Sequence, residues 1–494
     1  MFGTRLMQAA EIFFLVSLAV LLVWLGTING AGLSPDSVGY IKIALRIAEG
    51  NIDQVGAHWP PLYPLLIAGG FTDSLFENTR WISIVSIGVF VPVAWLLVKQ
   101  AVGQPAPWYL RSIALLLLIA NTALLNNYWM AWSEGPFISL LACAIFAYFE
   151  YIKKRQQRWF SLLVFLLALL PLLRYAGIAF VGAFIIAVYC YSSGKPRQRL
   201  YRSARLAGLS MLPVLLWLLL NYIWHGSTAE RSFIYHPISL DTLQQGLSVL
   251  GDWAVGSEIM SASVVYFLLL VGAARVAWKT ADPLLGILVL IPCCYIPFLA
   301  FSLSFIDAYT PLDHRILSPL FFPFILLLLA VVARQKLVTD KDFIKPGIAI
   351  SMLVMLLLAV PKLNAELGRY IRQGEGYAHK SWQYSPSLAF VQRLALERRI
   401  YTNSPEALLV HLGRDEKGLP ALVNPSTSLL NEQFEQQIMD AKAELLRTNG
   451  VVILFAQLAW RSYLPSAQLL ISEYGFELVM TTADGVILRV AESE

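Results

Sequence analysis

Asp36 lies in Ser34-Pro35-Asp36-Ser37-Val38-Gly39-Tyr40, a few residues beyond the first apolar run. A carboxylate there can take a proton from a hydroxyl nucleophile or steer an acceptor amine. The same residue can instead be a solvated loop acid, or the N-cap of the amphipathic helix that residues 38–48 predict. Further on comes His58-Trp59-Pro60-Pro61-Leu62-Tyr63-Pro64. Three prolines in five residues predict a rigid, extended segment. It would be an interfacial or re-entrant corner with belt aromatics, or a wall of a reaction cavity. In the second case His58 donates a hydrogen bond to substrate, or ligates a metal.

Glu134 follows Trp132-Ser133 and precedes Gly135-Pro136 at the start of a later apolar run. Helix polarity alone favours an acid at such a start; the position also puts it at the depth of Asp36. Arg174 interrupts an apolar stretch beside Tyr175, in Leu172-Leu173-Arg174-Tyr175-Ala176. A charge at that depth is costly, and marks a functional site by default. Asp313-His314-Arg315 opens another apolar run, and Arg231 follows one that ends near Trp224-His225-Gly226. Arginine suits bidentate binding of phosphate, and it also snorkels to lipid headgroups. Taken together, these cations could hold a lipid phosphate while the acids activate an acceptor.

The elements that must position these residues are membrane helices. The 494-residue chain is 57% hydrophobic and 14% charged, with a mean hydropathy of +0.62. A soluble protein carries about 25% charged residues, and about 20 apolar residues span a bilayer as helix. Eleven spans are expected, near 9–27, 81–98, 110–127, 134–151, 159–173, 176–191, 206–224, 262–279, 283–304, 316–333 and 346–361. The run at 9–27 is long for a cleaved signal and reads as an uncleaved first helix. The net charge of +5 does not point to nucleic acid. Cys143, Cys190, Cys293 and Cys294 all fall in apolar spans, without metal-ligand spacing, and read as small core residues.

Eighteen lysines and arginines lie in one set of loops, against six in the short loops of the other: Lys42, Arg46, Arg80, Arg174, Arg231 and Arg315. The richer side is expected to be cytoplasmic. The N-terminus would then be inside, and an odd number of spans puts the C-terminal tail outside. Residues 1–362 are expected to form the membrane domain, with a first outer loop at 28–80. Residues 363–494 would form an extracytoplasmic α/β domain. Strands are predicted at 400–402, 451–455 and 486–490, an amphipathic helix at 432–447, and a helix start at Ser404-Pro405-Glu406.

These features, in order and over most of the chain, resemble the GT-C glycosyltransferases. The resemblance is to the bacterial branch of aminoarabinose transferases and protein O-mannosyltransferases. It rests on Asp36-Ser37-x-x-Tyr40, Pro60-Pro61-Leu62-Tyr63-Pro64 and Ser133-Glu134-Gly135-Pro136. Trp217-x-x-x-Asn221-Tyr222 with Gly226 and Arg231, and His314-Arg315-Ile316-Leu317-Ser318-Pro319, add to it. So do Tyr401 to Ala407 and Gly413-Arg414, at the start of the tail domain. The resemblance implies an all-α polytopic membrane protein with a C-terminal α/β domain. It also implies a polyprenyl-phosphate-sugar donor and transfer on the outer face of the inner membrane. Asp36 inherits the acceptor-side role of the family's first-loop aspartate. In one respect the chain departs from the branch: His58 and Trp59 stand where aminoarabinose transferases carry an acid and a lysine. Glu134 or Asp53 would have to supply a second acid.

The expected activity is therefore transfer of a sugar, with inversion, to an envelope glycan, lipid or protein. Asp36 is the candidate catalytic base. Tyr40, His58, Tyr63, Glu134, Arg174, Tyr175, Arg231, His314 and Arg315 are the candidate substrate-binding residues, with Arg174 and Arg315 on the donor phosphate. No cofactor is expected, and no acidic cluster in the sequence supports a divalent metal. The alternatives are a transporter or flippase of a lipid-linked glycan, and a non-catalytic relative whose outer domain binds polysaccharide. A transporter would have inverted repeats and broken helices near the midplane; no repeat is visible, and the ionisable residues gather at the outer lip.

Overall fold

The computed structural model describes residues 2–103, 108–228, 233–255, 258–308, 310–334 and 344–491. A bundle of membrane helices carries a small α/β domain at its C-terminal end. The first long helix, α1 (Phe2–Gly26), leads into a long loop that holds α2 (Pro35–Ala48) and α3 (Leu62–Ala68). Then come α4 (Leu75–Val102), α5 (Trp108–Ala120), α6 (Thr122–Trp129), α7 (Glu134–Lys154), α8 (Gln157–Leu173) and α9 (Gly177–Tyr191). The bundle closes with α10 (Pro196–His225), α11 (Leu240–Val255), α12 (Ser263–Thr280), α13 (Pro283–Phe305), α14 (His314–Arg334) and α15 (Ile344–Gln373).

Helices occur at all eleven expected positions. Among the described residues, eight are long and apolar enough to cross a membrane: α1, α4, α7, α10, α12, α13, α14 and α15. The expected span at 110–127 is a pair, α5 and α6, bent by 50°. Asn121 makes the break, its side chain accepting from the Ala123 N–H at 2.9 Å to start α6. The helices at 157–173 and 177–191 have 17 and 15 residues and fall short of that length criterion. The composition change at residue 363 falls inside α15, which continues unbroken to Gln373.

Lipid is as apolar as leucine, so close packing rather than water exclusion holds such helices together. The bundle interior is correspondingly aromatic. Phe90 and Phe322 meet edge-on with centroids 5.0 Å apart, and Phe137 and Phe180 at 5.2 Å. All four are fully buried. Trp129 closes the seam between α1 and α6, its Nε1 donating to the Leu22 carbonyl at 3.0 Å.

The C-terminal domain contains α16 (Pro386–Gln392), α17 (Pro405–Leu412), α18 (Phe434–Thr448) and α19 (Ala467–Tyr474). Its sheet has the order β2-β1-β3-β5-β4. The three expected strands are β1 (Ile400–Thr402), β3 (Val451–Phe455) and β5 (Gly485–Val490), with β2 at Lys417–Gly418 and β4 at Phe476–Thr482. β1 runs parallel to β2 and β3, while β5 is antiparallel to β3 and to β4. α18 lays Phe434, Ile438, Ala441 and Leu445 on one face, at helical spacing, against Val452 and Leu488 of the sheet.

Candidate active site

The chain leaving α1 is stitched between two other loops before α2 begins. The Gly32 N–H donates to the Trp129 carbonyl at 2.8 Å, and the Ala131 N–H returns a bond to the Gly32 carbonyl at 2.8 Å. The Leu33 N–H donates to Glu375 at 3.2 Å, and the Tyr377 N–H to the Leu33 carbonyl at 2.8 Å. Gly376 sits at φ +60°, where a Cβ would collide with the Leu33 carbonyl, so only glycine fits this crossing. These bonds fix the starts of α2 and α7 to each other and to the end of α15.

Ser34, not Asp36, caps α2. Its Oγ accepts from the Ser37 N–H at 3.3 Å, the Ser37 Oγ accepts from the Ser34 N–H at 3.1 Å, and Pro35 takes the first helical position. Of the alternative readings of Asp36, the N-cap one is therefore overturned. Asp36 stands in the first turn with its carboxylate turned to other elements. The Pro-rich segment also differs from the extended form expected of it. Pro61 has φ −80°, ψ −20° and starts α3, with Pro64 in the first turn. A proline is tolerated there because first-turn N–H groups have no partner within the helix.

Four charges from four places in the chain meet here. The Arg315 Nη2 donates to Asp36 Oδ2 at 2.7 Å, and its Nε donates to Glu134 Oε1 at 2.5 Å. The Arg174 Nη1 lies 2.5 Å from the same Glu134 oxygen and 3.1 Å from Ser133 Oγ. Glu134 is fully buried, whereas the Asp36 side chain is 39% exposed. The Tyr40 hydroxyl lies 3.3 Å from Ser133 Oγ, which joins it to the cluster. Burial, with Glu134 and Asp36 nearby, pushes this phenol up to about 12, so it stays protonated at neutral pH. Trp132 forms a floor: the Arg315 guanidinium sits 4.4 Å above its ring, and its Nε1 donates to Ser34 Oγ at 2.8 Å.

Each arginine is placed by a helix break. Arg174 is the C-cap of α8, in extended conformation, and Gly177 lets α9 start close against the Leu170 backbone. Arg315 enters at the start of α14, where Asp313 Oδ1 accepts from the Ile316 N–H at 2.9 Å. The Ser318 Oγ donates to the Arg315 carbonyl at 2.6 Å.

Of the ten candidates, Asp36, Tyr40, Glu134, Arg174 and Arg315 form this one network. Tyr63 supports it from behind, buried and edge-on to Tyr40 at 5.1 Å. The Tyr175 hydroxyl donates to the Ala57 carbonyl at 2.8 Å and lies 3.3 Å from Trp217 Nε1, tying α10 to the loop between α2 and α3. His58 packs edge-on against Trp59 at 4.3 Å and lines a cleft of about 300 Å³ between α2 and α17. Across that cleft Lys42 pairs with Asp415 at 2.5 Å. His314 is not brought to the cluster; its Nε2 lies 3.9 Å from both Asp252 and Glu258. Arg231 lies outside the described residues. Asp53 is exposed on the turn at 52–54, whereas Glu134 shares Arg315 with Asp36. Among the described residues, no group of three or more His, Cys, Asp or Glu is arranged to share a metal ion.

The sequence reading missed Ser34, Trp132 and Ser133 as parts of this network. Trp132-Ser133 directly precedes Glu134, and a serine before proline at a helix start is a recognisable cap; those were the available signals.

Comparison with solved structures settles the architecture. ArnT from Cupriavidus metallidurans bound to undecaprenyl phosphate superposes with a TM-score of 0.60, at 11% identity, over 97% of this chain and 97% of that one. Its apo state gives 0.60 at 12% identity, over 97% and 98%. This chain has the GT-C fold. The arabinofuranosyltransferase AftD from mycobacteria matches at TM-score 0.50 and 15% identity, over 98% of this chain but 40% of its own length. No protein-family model matches the sequence, and no curated protein matches it by sequence. In this GT-C fold the charged cluster joins α2 to the starts of α7 and α14 and to the end of α8.

Proposed function

We propose that the protein is a membrane glycosyltransferase that moves a sugar from a polyprenyl phosphate to an acceptor hydroxyl or amine outside the cytoplasm, with inversion. The observation that carries this reading is the Asp36–Arg315–Glu134–Arg174 row, which pairs an accessible carboxylate with two anchored guanidinium groups. The fold shared with ArnT, solved with undecaprenyl phosphate, supports the donor class.

In the proposed reaction, the C1–O bond to phosphate breaks and its electron pair goes to the phosphate oxygen. Positive charge grows on the sugar, as in glycoside hydrolysis, and negative charge on the leaving phosphate. Arg315 and Arg174, each with N–H groups beyond those bound to the acids, meet that growing charge. The acceptor oxygen or nitrogen attacks C1 from the opposite face, and its proton passes to Asp36. Tyr40 and His58 line the acceptor side. The acceptor class is an envelope glycan, lipid or protein. The lysine and arginine asymmetry supports an inner-membrane protein with its N-terminus inside, and with the C-terminal domain and this cluster outside.

The test is Asp36→Asn, in membranes supplied with radiolabelled lipid-linked sugar. Loss of a general base costs about 10²–10⁴ in rate. Full transfer by the folded variant overturns the role given to Asp36.

A further inference from the structure

The far end of the bundle carries a second polar site. α7 runs from Glu134 to Lys154, and 21 residues of helix are about 31 Å long. One hydrocarbon thickness therefore separates that end from the Asp36 cluster. There Tyr151 of α7, Gln157 and Phe160 of α8, and the first turns of α10 enclose a cleft of about 500 Å³. α10 contributes Arg197, Arg202 and Arg205, and the lining residues include no carboxylate. The neighbouring Glu150 is buried and paired with Lys154. Two of the arginines are held in place: Arg202 donates to the Ser193 carbonyl, and Arg205 sits 5.3 Å above the Phe160 ring. Three guanidinium groups around a concave space, with no acid among them, call for an anion, and the planar fork suits phosphate.

The same helix face says what kind of anion. Arg202 and Arg205 continue at helical spacing into Leu209, Leu212 and Leu216, which are 43%, 50% and 49% exposed. This stripe is cationic at its end and apolar along its length, the polarity of a phospholipid. Simple snorkelling needs neither a cleft nor anchored guanidinium groups.

We propose that this cleft binds the phosphate headgroup of an anionic phospholipid in the leaflet opposite the Asp36 cluster, with an acyl chain lying along Leu209, Leu212 and Leu216. The test uses the full-length protein, delipidated and examined by native mass spectrometry with phosphatidylglycerol, phosphatidylcholine or inorganic phosphate. Phosphatidylglycerol is expected to be retained over phosphatidylcholine. Removing each guanidinium should weaken retention about fivefold, so Arg202→Gln with Arg205→Gln should lose most of it. Arg275→Gln with Lys279→Gln, the same charge change at the end of α12, should leave it intact. Arg197→Gln alone, at an exposed position, gives the fivefold step if the double variant does not fold. Equal loss from both pairs, equal retention of the two lipids, or displacement of phosphatidylglycerol by millimolar inorganic phosphate would each overturn the proposal.

Discussion

Glu134→Gln is the sharpest test of the charged cluster. Glu134 is fully buried and accepts from two arginines whose side chains are only 17% and 18% exposed. Glutamine keeps the shape but not the charge. Arg315 would retain Asp36 at 2.7 Å, whereas Arg174 would be left with no carboxylate partner here, only the neutral glutamine oxygen and Ser133 Oγ. Breaking a buried ion pair costs about 3–5 kcal/mol. Because Arg315 keeps one acid, and both cations retain some exposure, the lower end, about 3 kcal/mol, is expected. The competing account treats Glu134 as an acid that merely suits the start of α7, worth about 0.3–1 kcal/mol. The two accounts differ by about 2 kcal/mol, more than tenfold in the folded-to-unfolded ratio.

The measurement is reversible unfolding of the purified protein in mixed micelles, with Glu134→Gln, Arg174→Gln and the double variant forming a cycle. A shared buried pair makes the double variant less damaged than the two singles added together. If Glu134→Gln costs under about 1 kcal/mol and Arg174→Gln gives no rescue, the cluster is not the anchor argued for it.

Three further outcomes follow from the geometry. Ser34→Ala removes the cap of α2 and the acceptor for Trp132 Nε1; it should cost about 1 kcal/mol and speed hydrogen exchange in the first turn of α2. Gly39→Val places a Cβ 2.6 Å from the Trp59 ring. Because Trp59 packs on Tyr40 at 5.7 Å, it should destabilise by about 1–3 kcal/mol and reduce transfer, read from a thermal midpoint and a transfer assay. The Tyr40 phenol, raised from 10.0 to about 12, is neutral in both states below pH 10, so its contribution to stability is complete there. Between about pH 10 and 12 the unfolded chain ionises first, and that contribution is lost. The fall in stability over this window should be smaller in Tyr40→Phe.

Local patterns in the sequence were legible to the extent that they carry their own signal. Long apolar runs announced the membrane helices, and short β-branched runs announced β1, β3 and β5. β4 was not read. Its residues, Phe476 to Thr482, are mostly exposed at the sheet edge, and an irregularity between Leu478 and Met480 breaks the alternation that marks a strand. Asp36 and Glu134 were legible as isolated acids at helix starts. Their bond through Arg315 was not, because the partners lie 279 and 181 residues away and no local spacing encodes such a contact. By residue type alone Asp36 is a candidate cap of α2, but Ser34, two residues earlier, is an equally good capping type. Which one serves is decided by the helix entry at Pro35.

The two acids differ in how freely they can let go, and in the proposed reaction that difference assigns their roles. Glu134 is fully buried and holds both guanidinium groups, so releasing it would strand charges out of water. Asp36 is 39% exposed and is held by Arg315 Nη2 alone among the bonds described here, so the Asp36–Arg315 pair is the weak link. Exchanging that pair for a donor phosphate frees two groups in one event: an oxygen of Asp36 for the acceptor proton, and an N–H of Arg315 for the leaving phosphate. Asp36→Asn then has a specific kinetic signature. Asparagine cannot take the proton, so kcat falls, while Arg315 no longer has to leave a carboxylate to meet the donor. The donor KM should therefore stay level or drop, as when ground-state competition is removed. A large rise in donor KM, with kcat preserved, would place Asp36 on the donor and reverse the assignment of the two acids.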